Sequence, residues 1–299
     1  MTHTPEEIGA KMDALGLWKV LETCNFAIKP RGTAFPYFCT ALRGEQNQVK
    51  ERFLLLEGWQ TLHDFVRTRV DRNFGYYQTP MEMPHFELIV LESGATHLFR
   101  HDPGYMPLEA KGSARELASR ILWEAYGVML RLEGEPGLAM RFAAEKAVFA
   151  RIESSDATWS DAPLVIPAPP VQVERVTLSQ SDVKAAKDLP FANGDVLELD
   201  FHLLVNVMTK EPRPRCVYEL LGVDPKTKER VIASRVSVHP EGGLKGMWEA
   251  VPAQLLREFA RCGKVPGEVR VCSGRLFRLL RPVCMELPFK LSLHDKLSI

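Results

Sequence analysis

The chain has 299 residues, of which 45% are hydrophobic and 25% are charged, and its basic and acidic residues balance. This length exceeds that of a typical single domain, and the composition is that of a globular protein with a buried core. It excludes a mostly disordered chain and a strongly basic nucleic-acid-binding domain. The N-terminus lacks the pattern of a signal peptide, and no apolar run approaches the roughly 18 residues of a membrane span. We therefore expect a cytoplasmic protein without a membrane segment.

The six cysteines stand at positions 24, 39, 216, 262, 272 and 284. No two form a Cys-x-x-Cys pair, and none lies at zinc-ligand spacing from a histidine. Without a signal peptide, this pattern indicates free thiols in a reducing compartment. Their apolar sequence neighbours favour buried structural thiols over nucleophiles.

A proline-rich segment, residues 161–170, separates two stretches of different charge. Its four prolines remove backbone donors and favour extended geometry. We interpret it as a stiff linker between an N-terminal domain, residues 1–160, and a C-terminal domain, residues 171–299; a proline-containing edge strand is the alternative. Residues 1–170 carry a net charge of −4 and residues 171–299 carry +4.

The N-terminal half predicts an α+β domain with an antiparallel sheet. Its predicted helices are Pro5–Leu15, 59–70 and 114–133, and its predicted strands are Phe26–Lys29, Pro36–Leu42, Arg52–Leu56 and Phe86–Leu91. At the start of the third helix, Ser113 and Glu116 fit a capping box. Gly127 inside that helix indicates a close contact with the sheet.

The C-terminal half predicts strands first and then alternating helices and strands. Its predicted elements are strand Val171–Leu178, helix Gln180–Lys187, strands Val196–Val207, Cys216–Val223 and Val231–Val238, a helix from Pro252 to Cys262, strand Val269–Cys272, a helix after Ser273 that Pro282 ends or kinks, and strand Phe289–Leu293. From residue 196 the order is β-β-β-α-β-α-β, which implies a mixed sheet with helices on its faces. The predicted fold class of the whole chain is α+β with two domains.

The stretch Leu255–Val271 resembles the C-terminal domain of an uncharacterised bacterial family, a domain of unknown function. That family shows a helix ending in Gly-x-x-Pro, here Gly263–Pro266, then a strand, a second helix and a closing strand. The first half, with Tyr37-Phe38-Cys39, Arg43-Gly44 and Leu56-Glu57-Gly58-Trp59, is similar to the N-terminal domain that often precedes it. The family carries no assigned activity, so the resemblance implies an architecture and no chemistry.

The order β-β-β-α-β-α-β is also similar to the ribonuclease H-like topology. Active nucleases of that topology hold two divalent metals with acidic residues on the first strand, the first helix and the end of the fourth strand. Asp200 falls on the first strand, and Glu249 or Glu258 supplies the helix carboxylate. The fourth strand ends in Val271-Cys272-Ser273 without an acid, so the resemblance implies an incomplete metal set.

Two further patterns bear on metal binding. Asp200 alternates with apolar residues along its strand, which favours a solvent-facing side chain over a metal ligand. His97 and His101 form an H-x-x-x-H pair, but Leu98 stands where zinc proteases carry glutamate, and Pro103-Gly104 follows at once. We therefore predict no metal at either place. No phosphate loop or nucleophile elbow is present in the sequence, and no cofactor is expected.

Four arginines form a candidate partner-binding surface: Arg270, Arg275, Arg278 and Arg281. They lie in the basic region 261–299, which has 8 lysines and arginines against 3 acidic residues. The last three recur at every third position of one helix and fit contacts with phosphates or an acidic partner. The alternative is an ordinary solvated face opposite the leucines of that helix.

No catalytic constellation is complete in the sequence. This favours a non-enzymatic protein that recognises a macromolecular partner, either a protein or a nucleic acid. Two alternatives stay open: a degenerate ribonuclease H-like module that binds nucleic acid through residues 261–299, and an enzyme whose site is assembled from residues distant in sequence.

Overall fold

The computed structural model of the protein describes residues 3–23, 26–43, 48–70, 82–135, 137–138, 147–169, 176–238 and 243–298. Cys24 and the first part of the strand predicted at Val171–Leu178 lie outside these ranges. The chain packs into two compact units: unit 1 comprises residues 1–67, 83–102 and 107–170, and unit 2 comprises residues 68–82, 103–106 and 171–299. The chain therefore enters unit 2 twice before residue 171.

Unit 1 contains a sheet flanked by helices, and the predicted α+β class is confirmed. Its helices are α1 (Pro5–Ala14), α2 (Trp18–Thr23), α3 (Gly58–Val70) and α4 (Gly112–Gly134). Its strands are β1 (Phe26–Lys29), β2 (Tyr37–Arg43), β3 (Val49–Glu57), β4 (His85–Leu91), β5 (Thr96–His101), β6 (Leu108–Glu109), β7 (Ala147–Glu153) and β8 (Trp159–Val165). The order is β6-β5-β4-β3-β2-β1-β7-β8. The expected antiparallel pairing holds except between β1 and β7, which are parallel.

Helices cover both faces of the central strands of this sheet. On one face, apolar residues of α1, α2 and α4, among them Ile8 and Ile121, form a core with Phe53 of β3. On the other face, Leu62 and Phe65 of α3 pack against a cluster that includes Leu54 of the same strand. Because adjacent strand residues point to opposite faces, both faces of β3 are apolar and buried.

Helix α4 differs from its prediction at two positions. It begins at Gly112, and its N-cap residue Lys111 makes no side-chain cap. The capping box predicted for Ser113 and Glu116 is therefore wrong, because both residues lie inside the helix and neither occupies the N-cap. Beyond the helix backbone itself, no described residue comes within 4 Å of the Cβ position of Gly127, so the predicted close contact is absent.

The first half of the proline-rich segment is an edge strand. Asp161–Val165 belong to β8, which pairs with β7 and has no further described strand beside it. An edge strand tolerates Pro163 because a missing N–H on the open side breaks no ladder hydrogen bond. The two compact units divide after Pro170.

Unit 2 has the element order β-β-β-α-β-α-β after one short helix. Its elements are α5 (Gln180–Lys187), β9 (Phe191–Met208), β10 (Cys216–Val223), β11 (Arg230–Ser237), α6 (Gly243–Cys262), β12 (Val265–Val271), α7 (Gly274–Glu286) and β13 (Lys290–Leu293). The sheet order is β11-β10-β9-β12-β13, with β9 antiparallel to β10 and parallel to β12. Leu199 and Phe201 pack in one core with α5, α6 and α7. The residues of β9 that alternate with these two, including Asp200, line the opposite face of the sheet.

Two helices of unit 2 continue through a proline. Helix α6 begins at Gly243, so its predicted start at Pro252 is wrong, and α7 passes Pro282 to end at Glu286. An interior proline lacks the N–H of one helical hydrogen bond and costs about 3 kcal/mol or more. Burial of residues around Pro252, such as Trp248 and Val251, offsets this cost. Neither these helices nor any other described helix is long and apolar enough to cross a membrane.

Gly267 occupies a register shift between β12 and β9. A Cβ atom there would collide with the carbonyl oxygen of Asn193 and lie 2.7 Å from its carbonyl carbon. Since backbone atoms cannot rotate away, we expect Gly267→Ala to lower the free energy of unfolding by about 1–3 kcal/mol. Gly127→Ala, in open space within a helix, should raise it by about 1 kcal/mol. Urea unfolding measures both changes, and equal stability of the two variants would contradict the prediction.

Candidate metal centre

Three side chains with metal-ligand chemistry meet on strands β4 and β5. His85 and Glu87 stand two residues apart on β4, and His101 on β5 is the cross-strand partner of His85. Residues at this spacing share one face, and paired residues are immediate neighbours, so the three side chains converge. They are 0%, 2% and 4% exposed. One ligand atom from each lies within 4.8 Å of the others.

The hydrogen bonds of the cluster indicate which ring nitrogens carry protons. Nδ1 of His85 lies 2.9 Å from the carbonyl oxygen of Met83, which only accepts, so Nδ1 carries the proton. Nε2 of His101 lies 2.8 Å from Oε2 of Glu87 and donates to this carboxylate. In the neutral rings, the lone pairs then lie on Nε2 of His85 and Nδ1 of His101. Both of these atoms are buried, and neither has a hydrogen-bond partner among the described residues.

Electrostatics keep the cluster in a ligand-competent ionisation state. Burial raises the pKa of Glu87, but the hydrogen bond from His101 and the charge of Arg52 outweigh it and bring this pKa to about 2. Nε of Arg52 on β3 donates to Oε1 of Glu87, which fixes the second carboxylate oxygen. Burial and the neighbouring His101 lower the pKa of His85 to about 3, so its imidazole stays neutral.

The two imidazoles stack with ring centroids 4.1 Å apart and planes 18° from parallel. An imidazole lone pair lies in the ring plane, so stacked rings present their lone pairs side by side rather than toward one point. An ion bound by both rings requires one of them to tilt. The Met83 carbonyl fixes His85, and His101 is the ring that must tilt.

The H-x-x-x-H pair considered in the sequence lies on a strand rather than on a helix. His97 is exposed on β5 and pairs with Ile89, four positions away from the buried His101. The two histidines therefore form no joint site. Sequence reasoning missed His85 and Glu87 as neighbours of His101; the available signal was the His-x-Glu alternation on β4, followed by a turn at Ser93-Gly94.

Asp200 and the glutamates compared with it lie on opposite sides of the five-stranded sheet. Oδ2 of Asp200 is 3.0 Å from Nδ1 of His202 on the polar face. Glu249 and Glu258 lie on α6, on the other face, and Glu258 pairs with Arg261 at 2.7 Å. Among the residues described, Asp200 belongs to no group of three ligand-type side chains whose ligand atoms all lie within 4.8 Å of one another.

The four candidate arginines occupy different environments. Arg278 and Arg281 are exposed on α7, as a binding surface requires. The side chain of Arg275 is only 18% exposed, and its Nη1 donates to Oε2 of Glu82 at 3.0 Å. Arg270 lies on β12, away from this helix. The predicted surface of three arginines on one helix therefore reduces to two.

A family model matches the C-terminal part of the chain, outside the residues of the metal cluster. Residues 182–299 match the model of a family described as a domain of unknown function, DUF6930. This supports the expected resemblance to an uncharacterised family. No curated protein and no solved structure matches the chain. The bacterial source and the ribonuclease H-like resemblance stay predictions.

Arg270 controls the ionisation of a neighbouring carboxylate. Its Nη2 donates to Oε2 of Glu268 at 3.0 Å, and Ser292 donates to Oε1 at 2.7 Å. These hydrogen bonds lower the pKa of Glu268 to about 2. The stabilisation from this ionised group is therefore present above about pH 4.5, its usual pKa, and is lost as the pH falls through about 2.

We expect Arg270→Gln to raise the pKa of Glu268 toward its usual value, because the largest stabilising contact is removed. Ser292 and Lys290 remain, so the rise is incomplete. Carboxyl-carbon NMR titration measures the pKa directly. Arg278→Gln, on the exposed helix surface, is the matched control, and an unchanged Glu268 in the Arg270 variant would refute the assignment.

Proposed function

We propose that the protein binds a divalent transition-metal ion through His85, Glu87 and His101. The observation that carries this proposal is the pair of buried ring nitrogens with unused lone pairs beside an ionised carboxylate. A buried polar atom without a partner costs about 1–3 kcal/mol. One ion coordinated by both imidazoles would remove both deficits at once. Oε2 of Glu87 joins this ion when His101 tilts and its Nε2–H leaves that oxygen.

The donor set favours zinc and related ions. Two imidazole nitrogens and one carboxylate oxygen suit Zn²⁺, Fe²⁺, Co²⁺ or Ni²⁺, whereas Ca²⁺ and Mg²⁺ prefer oxygen ligands. The surroundings resemble those of a metal site, in which ligands are held by further hydrogen bonds. Met83 holds His85 through its protonated nitrogen, and Arg52 holds Glu87 through the oxygen that His101 does not use.

Burial supports a stabilising role for the ion rather than a catalytic one. A catalytic ion needs a coordination position that substrate can reach. At most 4% of any of the three ligand residues is exposed, so a substrate would meet almost none of their surface in this conformation. An ion here would join β4 to β5 and favour the folded state of unit 1, because the unfolded chain does not bring the three ligands together.

Thermal unfolding of the metal-free full-length chain, with and without Zn²⁺, tests the proposal. At a free concentration about 100 times Kd, binding to the folded state adds about 2.7 kcal/mol. For a chain of this size we expect Tm to rise by about 5 °C or more. Isothermal titration calorimetry should give one ion per chain.

Variants separate this site from binding by free thiols or surface histidines. Glu87→Gln and His101→Ala should abolish the Tm shift and the calorimetric binding. His97→Ala, which removes an exposed histidine from the same strand, should retain both. If Glu87→Gln binds zinc as the parent chain does, or if the parent chain shows no shift, the proposal is wrong.

A further inference from the structure

A carboxylate in unit 2 receives hydrogen bonds from three separate elements. Oε1 of Glu82 accepts from the hydroxyl of Tyr218 at 3.1 Å and from the indole N–H of Trp248 at 3.1 Å. Oε2 accepts from Nη1 of Arg275 at 3.0 Å. The Glu82 side chain is 13% exposed. Three directed donors, one of them charged, define a binding site for one carboxylate group.

The three donors are positioned by the core of unit 2. Tyr218 lies on β10, Trp248 on α6 and Arg275 in the first turn of α7. The Arg275 guanidinium lies 4.1 Å from the centre of the Trp248 ring, a cation–π contact. Phe201 stacks on Tyr218 at 5.3 Å and meets Trp248 edge-on at 4.8 Å. None of these contacts involves Glu82.

The donors and the acceptor come from different parts of the sequence. Residues 182–299, which match the DUF6930 model, contain Tyr218, Trp248 and Arg275, whereas Glu82 lies outside the match. The domain thus supplies a set of donors, and its ligand comes from elsewhere in the chain. Stability alone is a poor reason for such a pair, because apolar residues of similar volume often replace buried ion pairs without loss.

We propose that Tyr218, Trp248 and Arg275 form a carboxylate-recognition site that binds a glutamate side chain of a partner protein, and that Glu82 occupies this site as an intramolecular competitor. Tryptophan, tyrosine and arginine are the residue types most enriched where partner side chains are anchored. A tethered Glu82 acts at an effective concentration in the millimolar range, so a partner must displace it. This proposal does not depend on the metal site in unit 1.

Peptide binding to the full-length Glu82→Ala variant tests the site. The probe is a peptide with the sequence of residues 78–86, and the matched probe carries glutamine at the position of Glu82. A charge-assisted hydrogen bond contributes about 1.5–3 kcal/mol, so we expect the glutamate peptide to bind at least about tenfold more tightly. The parent chain should bind the same peptide at least about tenfold more weakly than the variant does, because Glu82 fills the site. Tryptophan fluorescence or calorimetry measures both affinities.

A second measurement guards against poor folding of the variant. Small carboxylates can refill the vacated position, so propionate should raise the Tm of Glu82→Ala by several degrees, and neutral propionamide should not. Adding Arg275→Met should abolish this rescue, whereas Arg278→Met, an exposed position on the same helix, should preserve it. Equal effects of propionate and propionamide, or equal affinities for the two peptides, would overturn the proposal.

Discussion

A carboxylate that loses its water must receive hydrogen bonds from the protein, because an unpaired buried charge is destabilised by several kcal/mol. Glu87 satisfies this requirement with Arg52 and His101, and its pKa falls to about 2. Glu82 satisfies it with three donors, yet burial still raises its pKa despite the charge of Arg275. The first carboxylate is therefore ionised under all ordinary conditions. The charge of the second depends on its donors staying in place.

The geometry of the metal cluster follows from this requirement. Glu87 accepts a hydrogen bond from Nε2 of His101. In the neutral ring the proton therefore lies on Nε2 and the lone pair on Nδ1. The Met83 carbonyl does the same for His85 and leaves its lone pair on Nε2. The sheet thus places two imidazoles beside one anion. Because the three side chains already meet in the folded chain, ion binding requires the tilt of His101 rather than the assembly of a site.

Local sequence patterns predicted the fold of unit 2 better than they predicted the metal cluster or the donors around Glu82. The alternation of Leu199, Asp200 and Phe201 predicts which side chains enter the core, and their burial agrees with it. The start of α6 was mispredicted, because proline favours a first turn, whereas the buried surface around Pro252 extends the helix through it. Strand β5 was not predicted from the sequence. Its position in the sheet depends on pairing with β4, which a local pattern does not show.

Neither cluster was predictable from spacing, because each depends on long-range packing. His101 meets His85 only through the register of a hairpin, and a shift of one residue would turn the ligands to opposite faces. Glu82 accepts hydrogen bonds from Tyr218, Trp248 and Arg275, which lie 136, 166 and 193 residues further along the chain. A local sequence pattern does not specify contacts over such distances.

These separations have a consequence for the growing chain. Translation proceeds from the N-terminus, so Glu82 emerges from the ribosome long before Arg275, its charged donor. At roughly 5–20 residues per second, the interval lasts on the order of ten seconds or more. Partway through that interval the last residue of unit 1, Pro170, is made, whereas α7 of unit 2 begins only at its end. Glu82 therefore lacks its charged donor until α7 is made, and its ion pair with Arg275 belongs to the last stage of folding.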